Sequence, residues 1–299
     1  MGVELRASRD ADLPAVAELL RSADDARVLS VESLRFLRET RSPAVHGLDV
    51  VADDEGRVVA CGGAGLNNWT SEAGAGWAFL TVAADRRREG IGGRLGGTLL
   101  DHLRAHGVTR ATTFIRQTDE SERWATSRGW SRVLAGPLIA LDPRDVPEPV
   151  LPEGYRCVTL SELDVRDVYE PMCEAALDEP TAMPNDAISL EEFEREWNDP
   201  IMALDVSGAV LHGDDVVAFA FMKVAGDRAQ HGFTGCVRGH RGQGLATAAK
   251  RFALRTAAAR GVTRVTTSNA EENAAMRAIN SRLGFEPIGE HVILARDLG

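Results

Sequence analysis

Apolar positions along the chain switch between a period of two and a period near 3.6, and the order of switches occurs twice. Residues 3 to 8 read as a strand. From Asp10 to Ser22, Leu13, Val16, Ala17 and Leu20 fall on one helical face, with Asp10 or Asp12 at its cap. Ser30 to Thr40 is a second helical stretch. Leu48 to Ala52 and Val58 to Leu66 alternate as strands around the polar turn Asp53-Asp54-Glu55-Gly56, and Gly76 to Ala83 is another strand. A helix from Leu95 to His106, a strand from Thr109 to Arg116, a short helix from Glu120 to Arg128 and a strand from Trp130 to Ile139 follow. Asp142 to Gly154, with four prolines and many charges, then breaks both periods and reads as a linker.

After it the order restarts. Tyr155 to Thr159 is a strand, Glu162 to Leu177 and Leu190 to Asn198 are helices, and Val206 to Leu211 and Val216 to Val224 flank the turn His212-Gly213-Asp214-Asp215. A strand running into Cys236, a helix from Leu245 to Arg260, a strand from Thr263 to Ser268, a helix from Asn273 to Arg282 and a strand from His291 to Ala295 close the chain. The restart is also visible in the residues themselves. Gly107-Val108-Thr109-Arg110-Ala111-Thr112-Thr113 matches Gly261-Val262-Thr263-Arg264-Val265-Thr266-Thr267 at an offset of 154 residues, and Arg87 with Arg241 and Gly90 with Gly244 share that offset. The chain therefore reads as a tandem duplication of one domain of ordinary size. The expected parts are a first domain at 1–146, a linker at 147–154 and a second domain at 155–299.

The duplicated turn carries the candidate chemistry. A strand hands over to a helix through Arg87-Arg88-Glu89-Gly90-Ile91-Gly92 in one copy and Arg241-Gly242-Gln243-Gly244-Leu245-Ala246 in the other. A helix start leaves backbone N–H groups unpaired and carries the positive end of the helix dipole, and glycine lets a ligand approach the backbone closely. Such a turn grips phosphate. It is not a dinucleotide fingerprint, because the third glycine position holds Leu95 or Thr247, and it is not a P-loop, because no Gly-Lys-Ser/Thr follows.

Composition narrows the partners. A formal net charge of −11 argues against nucleic acid or an anionic membrane as partner and sits better with a cationic small molecule. Basic residues are nearly all arginine; the two lysines are Lys223 and Lys250. The four scattered cysteines point to a reducing cytoplasm, and neither a leader peptide nor a membrane-spanning run is read at the start or within the chain. His102 and His106 lie four apart on a helix, but no third ligand accompanies them, so no metal is expected.

Both halves resemble domains of the GCN5-related N-acetyltransferase superfamily, and the whole resembles its tandem, mycothiol-synthase-like members. The resemblance rests on Arg-x-x-Gly-x-Gly/Ala in both copies and on the stretch from Thr266 to Phe285, which ends Asn280-Ser281-Arg282-Leu283-Gly284-Phe285. It implies two α/β domains, each a mixed, mostly antiparallel sheet flanked by helices, with acetyl-CoA as co-substrate and acetyl transfer to a small amine, such as an amino-sugar, aminoglycoside or mycothiol-precursor-like compound. A monomer or homodimer is expected.

Cofactor-binding positions implied in the second copy are Cys236, Val237, Arg241 to Thr247 (Arg241, Gly242, Gln243, Gly244, Leu245, Ala246, Thr247), Asn269 and Asn273. In the first copy they are Val82, Arg87, Arg88, Glu89, Gly90, Ile91, Gly92 and Gly93. The oxyanion donor is implied to be a strand N–H near Cys236 or Val237. The family's tyrosine acid is missing: its slot holds Asn280 in the second half and Ala125 in the first. His231, on the strand before the second turn, is the candidate base, and a structurally bonded histidine is an equally open reading. Asp178, Glu179 and Asp186 form a candidate acidic rim for the amine. The second copy keeps more of the pattern and is expected to be the catalyst; a non-catalytic acyl-CoA-binding module and a protein N-acetyltransferase are the alternatives.

Overall fold

The computed structural model describes residues 2–68, 70–179 and 188–299. The chain divides into two compact units. The first contains residues up to Ala135 and from Glu290 to Gly299; the second contains Gly136 to Glu179 and Ile188 to Gly289 of the described residues.

In the first unit β1 (Glu4–Ala7), α1 (Leu13–Ala23), α2 (Val31–Glu39), β2 (Leu48–Asp54), β3 (Arg57–Leu66), β4 (Ala75–Val82), α3 (Ile91–Ala105), β5 (Arg110–Arg116), α4 (Asp119–Thr126) and the start of β6 (Ser131–Leu141) follow one another. The period-two pattern sorts the strands between two cores. Val50, Ala52, Ala60 and Ala64 face Leu95, Leu99 and Leu103 of α3, whereas Val51 and Cys61 face Val16, Ala17 and Leu20 of α1. Helix α3 starts at Ile91 and not at Leu95; its glycines at 92, 93, 96 and 97 hide the first turns from a reading based on helix propensity.

The second unit continues β6 at Gly136 and adds β7 (Tyr155–Thr159), α5 (Val165–Ala176), α6 (Leu190–Trp197), β8 (Gly208–His212), β9 (Asp215–Ala225), β10 (Arg228–Cys236), α7 (Leu245–Ala259), β11 (Arg264–Ser268) and α8 (Ala274–Leu283). Ala218, Ala220 and Met222 face α7 through Leu245, Ala248, Ala249 and Ala253. Phe219 and Phe221 face α5 and α6 through Val168, Met172 and Phe193. The proline-rich stretch is not a free tether: Val146 is buried in the α7 core, and its carbonyl accepts from Arg255 at 2.9 Å.

Each unit is completed by a strand from the other half of the sequence. The last strand, β12 (Glu286–Asp297), pairs antiparallel with β5 of the first unit, His291 opposite Arg116 and Asp297 opposite Arg110. In the second unit β11 pairs antiparallel with β6, Val265 opposite Leu141 and Ser268 opposite Leu138. The units thus depart from the contiguous halves 1–146 and 155–299 by an exchange of closing strands.

In both units the two strands around the site run parallel for only three residues. Ala75–Trp77 pairs with Arg110–Thr112, and Arg228–Gln230 pairs with Arg264–Thr266. Beyond that they part, and the phosphate turn lies at the open end. Among the described residues, no helix is long and apolar enough to cross a membrane.

Candidate functional site

The second-unit turn is built to present amides. Gly242 and Gly244 take φ of +78° and +80°, a left-handed conformation that glycine adopts freely. A Cβ at either position would meet open space, so the demand is conformational. Gly244 begins α7 without a side-chain cap. Along Gly242 to Thr247 the backbone N–H groups have no partner among the described residues, leaving a row of donors on the positive end of a fifteen-residue helix. In the first unit Gly90 has φ of +80° and α3 likewise starts uncapped.

The arginine of each turn points back along its strand. Arg241 donates from Nε to the Cys236 carbonyl at 2.9 Å, and Arg87 donates from Nε to the Val82 carbonyl at 3.2 Å. That carbonyl is free for a reason of register. Val237 N–H donates to Val217 O at 3.0 Å while Cys236 lies opposite Ala218, so Cys236 occupies a non-hydrogen-bonded pair and both its N–H and C=O point away from β9, toward the opening. The same relation holds where Ala83 N–H donates to Val59 O and Val82 lies opposite Ala60. Of the two expected oxyanion donors, Cys236 N–H faces the opening; Val237 N–H is spent on the ladder. Burial pushes the Cys236 thiol above its ordinary range, as suits a small apolar wall residue.

A carboxylate already sits on the cationic turn. Asp178 pairs with Arg238 at 2.9 Å and Arg241 at 2.8 Å. These hydrogen bonds, Arg238 first, hold its carboxyl at about 2. Arg238 is a residue that sequence reasoning passed over; its backbone N–H also donates to Glu174 at 2.5 Å. Asp178, expected on an acceptor rim, is thus attached to the phosphate turn. Glu179 is exposed beside it, and Asp186 lies outside the described residues. Gln243 and His240 of the turn reach Tyr155, whose hydroxyl is 2.9 Å from His240 Nδ1 and 3.3 Å from Gln243 Oε1.

Behind the opening the polar groups are buried. Asn273 caps α8, its Oδ1 accepting from Met276 N–H at 3.1 Å. Asn280, in the slot where a tyrosine is expected, donates from Nδ2 to Asn269 Oδ1 at 2.5 Å, and its own Oδ1 is buried without a partner. His231 is 2 % exposed. Its Nδ1 lies 3.1 Å from the neighbouring Gly232 carbonyl and its Nε2 has no partner. Burial, then the charge of Lys250, pushes its pKa well below the ordinary range. His231 is therefore an interior neutral imidazole on the α7 side of β10, opposite Met222, and not a group on an open wall. Strand β10 shifts register between His231 and Thr234, a bulge that re-aims the strand where it leaves β11.

In the first unit a cleft of about 1010 Å³ opens between the parted strands, lined by Val82, Arg87, Gly92, Phe114, Trp124 and Arg128 among others. Arg87 and Arg88 both pair with Glu120 at the start of α4, at 2.8 and 3.3 Å, and Arg128 lies over the Trp124 ring at 4.2 Å. Glu89 pairs with Arg86. The turn predicted from sequence and the cleft coincide; Trp124 and Arg128 were not foreseen, although a Trp-x-x-x-Arg pair facing a glycine-rich helix turn is a readable signal. Among the described residues no group of three or more His, Cys, Asp or Glu side chains is placed to hold a metal.

The sequence profile of the Acetyltransferase (GNAT) family matches residues 13–129 and again residues 168–285. A mycothiol acetyltransferase of Kytococcus sedentarius is 29% identical over 300 residues, spanning 92% of this chain and 90% of that protein. Among solved structures, a tandem GNAT protein from the clavulanic acid biosynthesis pathway superposes with a TM-score of 0.77 at 24% identity, over 100% of this chain and 99% of the other. A GCN5-related N-acetyltransferase from Sphaerobacter thermophilus superposes with a TM-score of 0.74 at 20% identity, over 99% and 96%.

Proposed function

Because the chain belongs to the GNAT family of acetyltransferases, we propose that it moves an acetyl group from acetyl-CoA to the amine of a small molecule, and that the second unit is where transfer occurs. The observation that carries this reading is the pairing of an uncapped amide row, Gly242 to Thr247, with Cys236 N–H aimed into the same opening. The first binds a pyrophosphate; the second is the fixed donor that a polarised carbonyl oxygen needs.

Acetyl-CoA supplies the activated thioester. The chain's own residues do the rest. Arg241, tethered to Cys236 O, holds positive charge at the turn. Asn269 and Asn273 lie after β11, on the far side of the opening, and suit the amides of the pantetheine arm. The acceptor amine has to arrive neutral or lose its proton to water, since His231 is enclosed. The likeness to a mycothiol acetyltransferase supports an amino-sugar derivative of the mycothiol-precursor kind as acceptor; aminoglycosides and simple amino-sugars are further members of that class. The first unit's cleft supports binding of acetyl-CoA or a related anion at Arg87 to Gly93.

Release of free CoA thiol on mixing the protein with acetyl-CoA and a panel of amino-sugars tests the reading. The expected result is acceptor-dependent release that Arg241→Glu removes and Arg87→Glu does not. Tight acetyl-CoA binding with no release for any amine would replace the enzyme by an acyl-CoA-binding module.

A further inference from the structure

In the first unit α1 and α3 pack on opposite faces of the sheet, α1 on Val51 and Cys61 and α3 on Val50, Ala52, Ala60 and Ala64. Where β4 and β5 part, the cleft of about 1010 Å³ passes between them. Arg87 and Gly92 line it from the turn that begins α3, and Asp24 and Arg27 line it from the segment that follows α1. This second end lies across the sheet from the phosphate turn and carries its own set of charges. Asp24 is 7 % exposed. Its Oδ2 faces His291 Nε2 at 3.0 Å, and its Oδ1 accepts from Ala26 N–H at 3.1 Å. Burial opposes ionisation, but His291 and then Ala26 outweigh it and hold the carboxyl below its ordinary range. Arg116 stands 3.7 Å from Asp24 and is shared with Asp25. Arg27 lines the same cavity and makes no ion pair among the described residues. Phe114, 45 % exposed, is the apolar wall beside them, its ring 4.5 Å from that of His291. His291 Nδ1 is buried without a partner. The repeat adds a contrast: Asp178, 154 residues after Asp24, is spent on the arginines of its own turn, whereas Asp24 lines a cavity. An aromatic wall with a few convergent charged groups is the make-up of a small-molecule pocket.

We propose that this end of the first-unit cleft binds a small amine that also carries an anionic group and an apolar body: Asp24 takes the ammonium, Arg27 the anion and Phe114 the apolar part. The inference goes beyond the second-unit transfer reading and does not need it. Each Asp24 oxygen has one donor, from His291 or Ala26, and a carboxylate oxygen can accept a second. An ammonium bonded there meets a carboxylate withdrawn from water, where a charge-assisted hydrogen bond is strong. The Arg27 guanidinium offers the planar fork that fits a carboxylate or phosphate. The two charges are needed together. An amine without the anion would meet Arg27 and Arg116 unanswered, and an anion without the amine would meet Asp24 and Asp25. The charged and titratable groups at this end are Asp24, Asp25 and Arg27 after α1, Arg116 from β5 and His291 from β12.

The test uses the full-length protein and saturation-transfer NMR with four probes. L-phenylalanine and glycyl-L-phenylalanine carry both charges at different spacings. Phenethylamine lacks the anion, and 3-phenylpropionate lacks the amine. The expected result is that at least one doubly charged probe binds at least about tenfold more tightly than either singly charged one. Asp24→Asn is expected to bring that probe down to the affinity of 3-phenylpropionate, and Arg27→Gln to that of phenethylamine. Inorganic pyrophosphate, a probe for the turn across the sheet, is expected to leave it bound. Failure of both doubly charged probes to bind overturns the proposal. Equal binding by 3-phenylpropionate also overturns it, since the cleft would then take any anion on its arginines. Displacement by pyrophosphate overturns it by placing the probe at the turn, and so do folded variants that bind as the native chain does. Where Asp24→Asn does not fold, Arg27→Gln and the four-probe comparison decide.

Discussion

Arg241 donates its Nε–H to the Cys236 carbonyl at 2.9 Å, and the residue on the other side of that peptide plane decides what the bond is for. Cys236 belongs to a non-hydrogen-bonded pair with Ala218, so the arginine holds a strand residue whose N–H also faces the opening. Replacement by glutamine removes both the positive charge at the turn and the tether. Acetyl-CoA affinity at the second unit is expected to fall at least tenfold, about 1.4 kcal/mol, as read by calorimetry. Arg87→Gln, which breaks the equivalent bond to Val82, is expected to affect a separate binding step. Equal loss from either variant would show one shared site and refute the assignment of one cradle per unit.

Asp178 occupies both arginines, Arg238 and Arg241, that the proposed phosphate ligand would need. Because Arg238 and Arg241 hold its carboxyl at about 2, it stays ionised throughout the working range. The sign follows: the group is depressed, so the interaction is lost only on acidification toward that value, and no pH dependence of binding between pH 5 and 9 should trace to it. Asp178→Asn frees two guanidinium groups. Acetyl-CoA is expected to bind several-fold more tightly at low salt, with a steeper loss as salt rises. Weaker binding in the variant would mean that Asp178 positions the arginines and does not compete with the ligand.

Much of this site was legible in the chain. The two turns were readable because a strand, two glycines and a helix start obey local rules, and because each copy repeats the other 154 residues away. The two-sided alternation of β2, β3 and β9 likewise survives in the cores they form. What was not legible is non-local. Which N–H of Cys236 and Val237 is free depends on the register of β10 with β9 and its bulge. His231 sits on a strand with no strict alternation, so nothing in the letters says that its ring turns toward α7. Lys250 was in view as one of two lysines among many arginines, and its place on the apolar stripe of α7 could have marked it as interior.

Lys250, 1 % exposed, links folding to pH. Its pKa in the fold is about 7 against an ordinary value of 10.5, so between those values the unfolded chain binds the extra proton. Stability therefore rises with pH across that window, by about 1.4 kcal/mol per unit at its steepest. His231, also depressed by burial, acts in the same direction below its ordinary value of 6.5: the fold weakens as acid charges the unfolded imidazole. Urea melts at about pH 7 and pH 9.5 should give a higher midpoint at the alkaline pH for the native chain and a nearly constant one for Lys250→Met. Identical pH dependence in both proteins would mean that the amine reaches solvent.

The exchanged strand makes the first half dependent on the last ten residues of the chain. Val292 and Leu294 are 0 % and 2 % exposed and lie in the same core as Leu95, Leu99 and Leu103 of α3. Leu298 joins them at 8 %. Arg132 pairs with Glu290 at 2.7 Å, and His291 Nε2 meets the buried Asp24 carboxylate at 3.0 Å. Removing three buried aliphatic side chains withdraws roughly 5 kcal/mol or more of apolar burial, which is comparable to the whole stability of a domain this size. A fragment spanning residues 1–146, the boundary that the repeat suggests, is therefore expected to lack a cooperative urea transition and a near-ultraviolet dichroism signal. Joining residues 286–299 to it through a flexible linker is expected to restore both. A fragment 1–146 that melts cooperatively at the midpoint of the full chain would show that β12 is an ornament of the first unit and not part of its core.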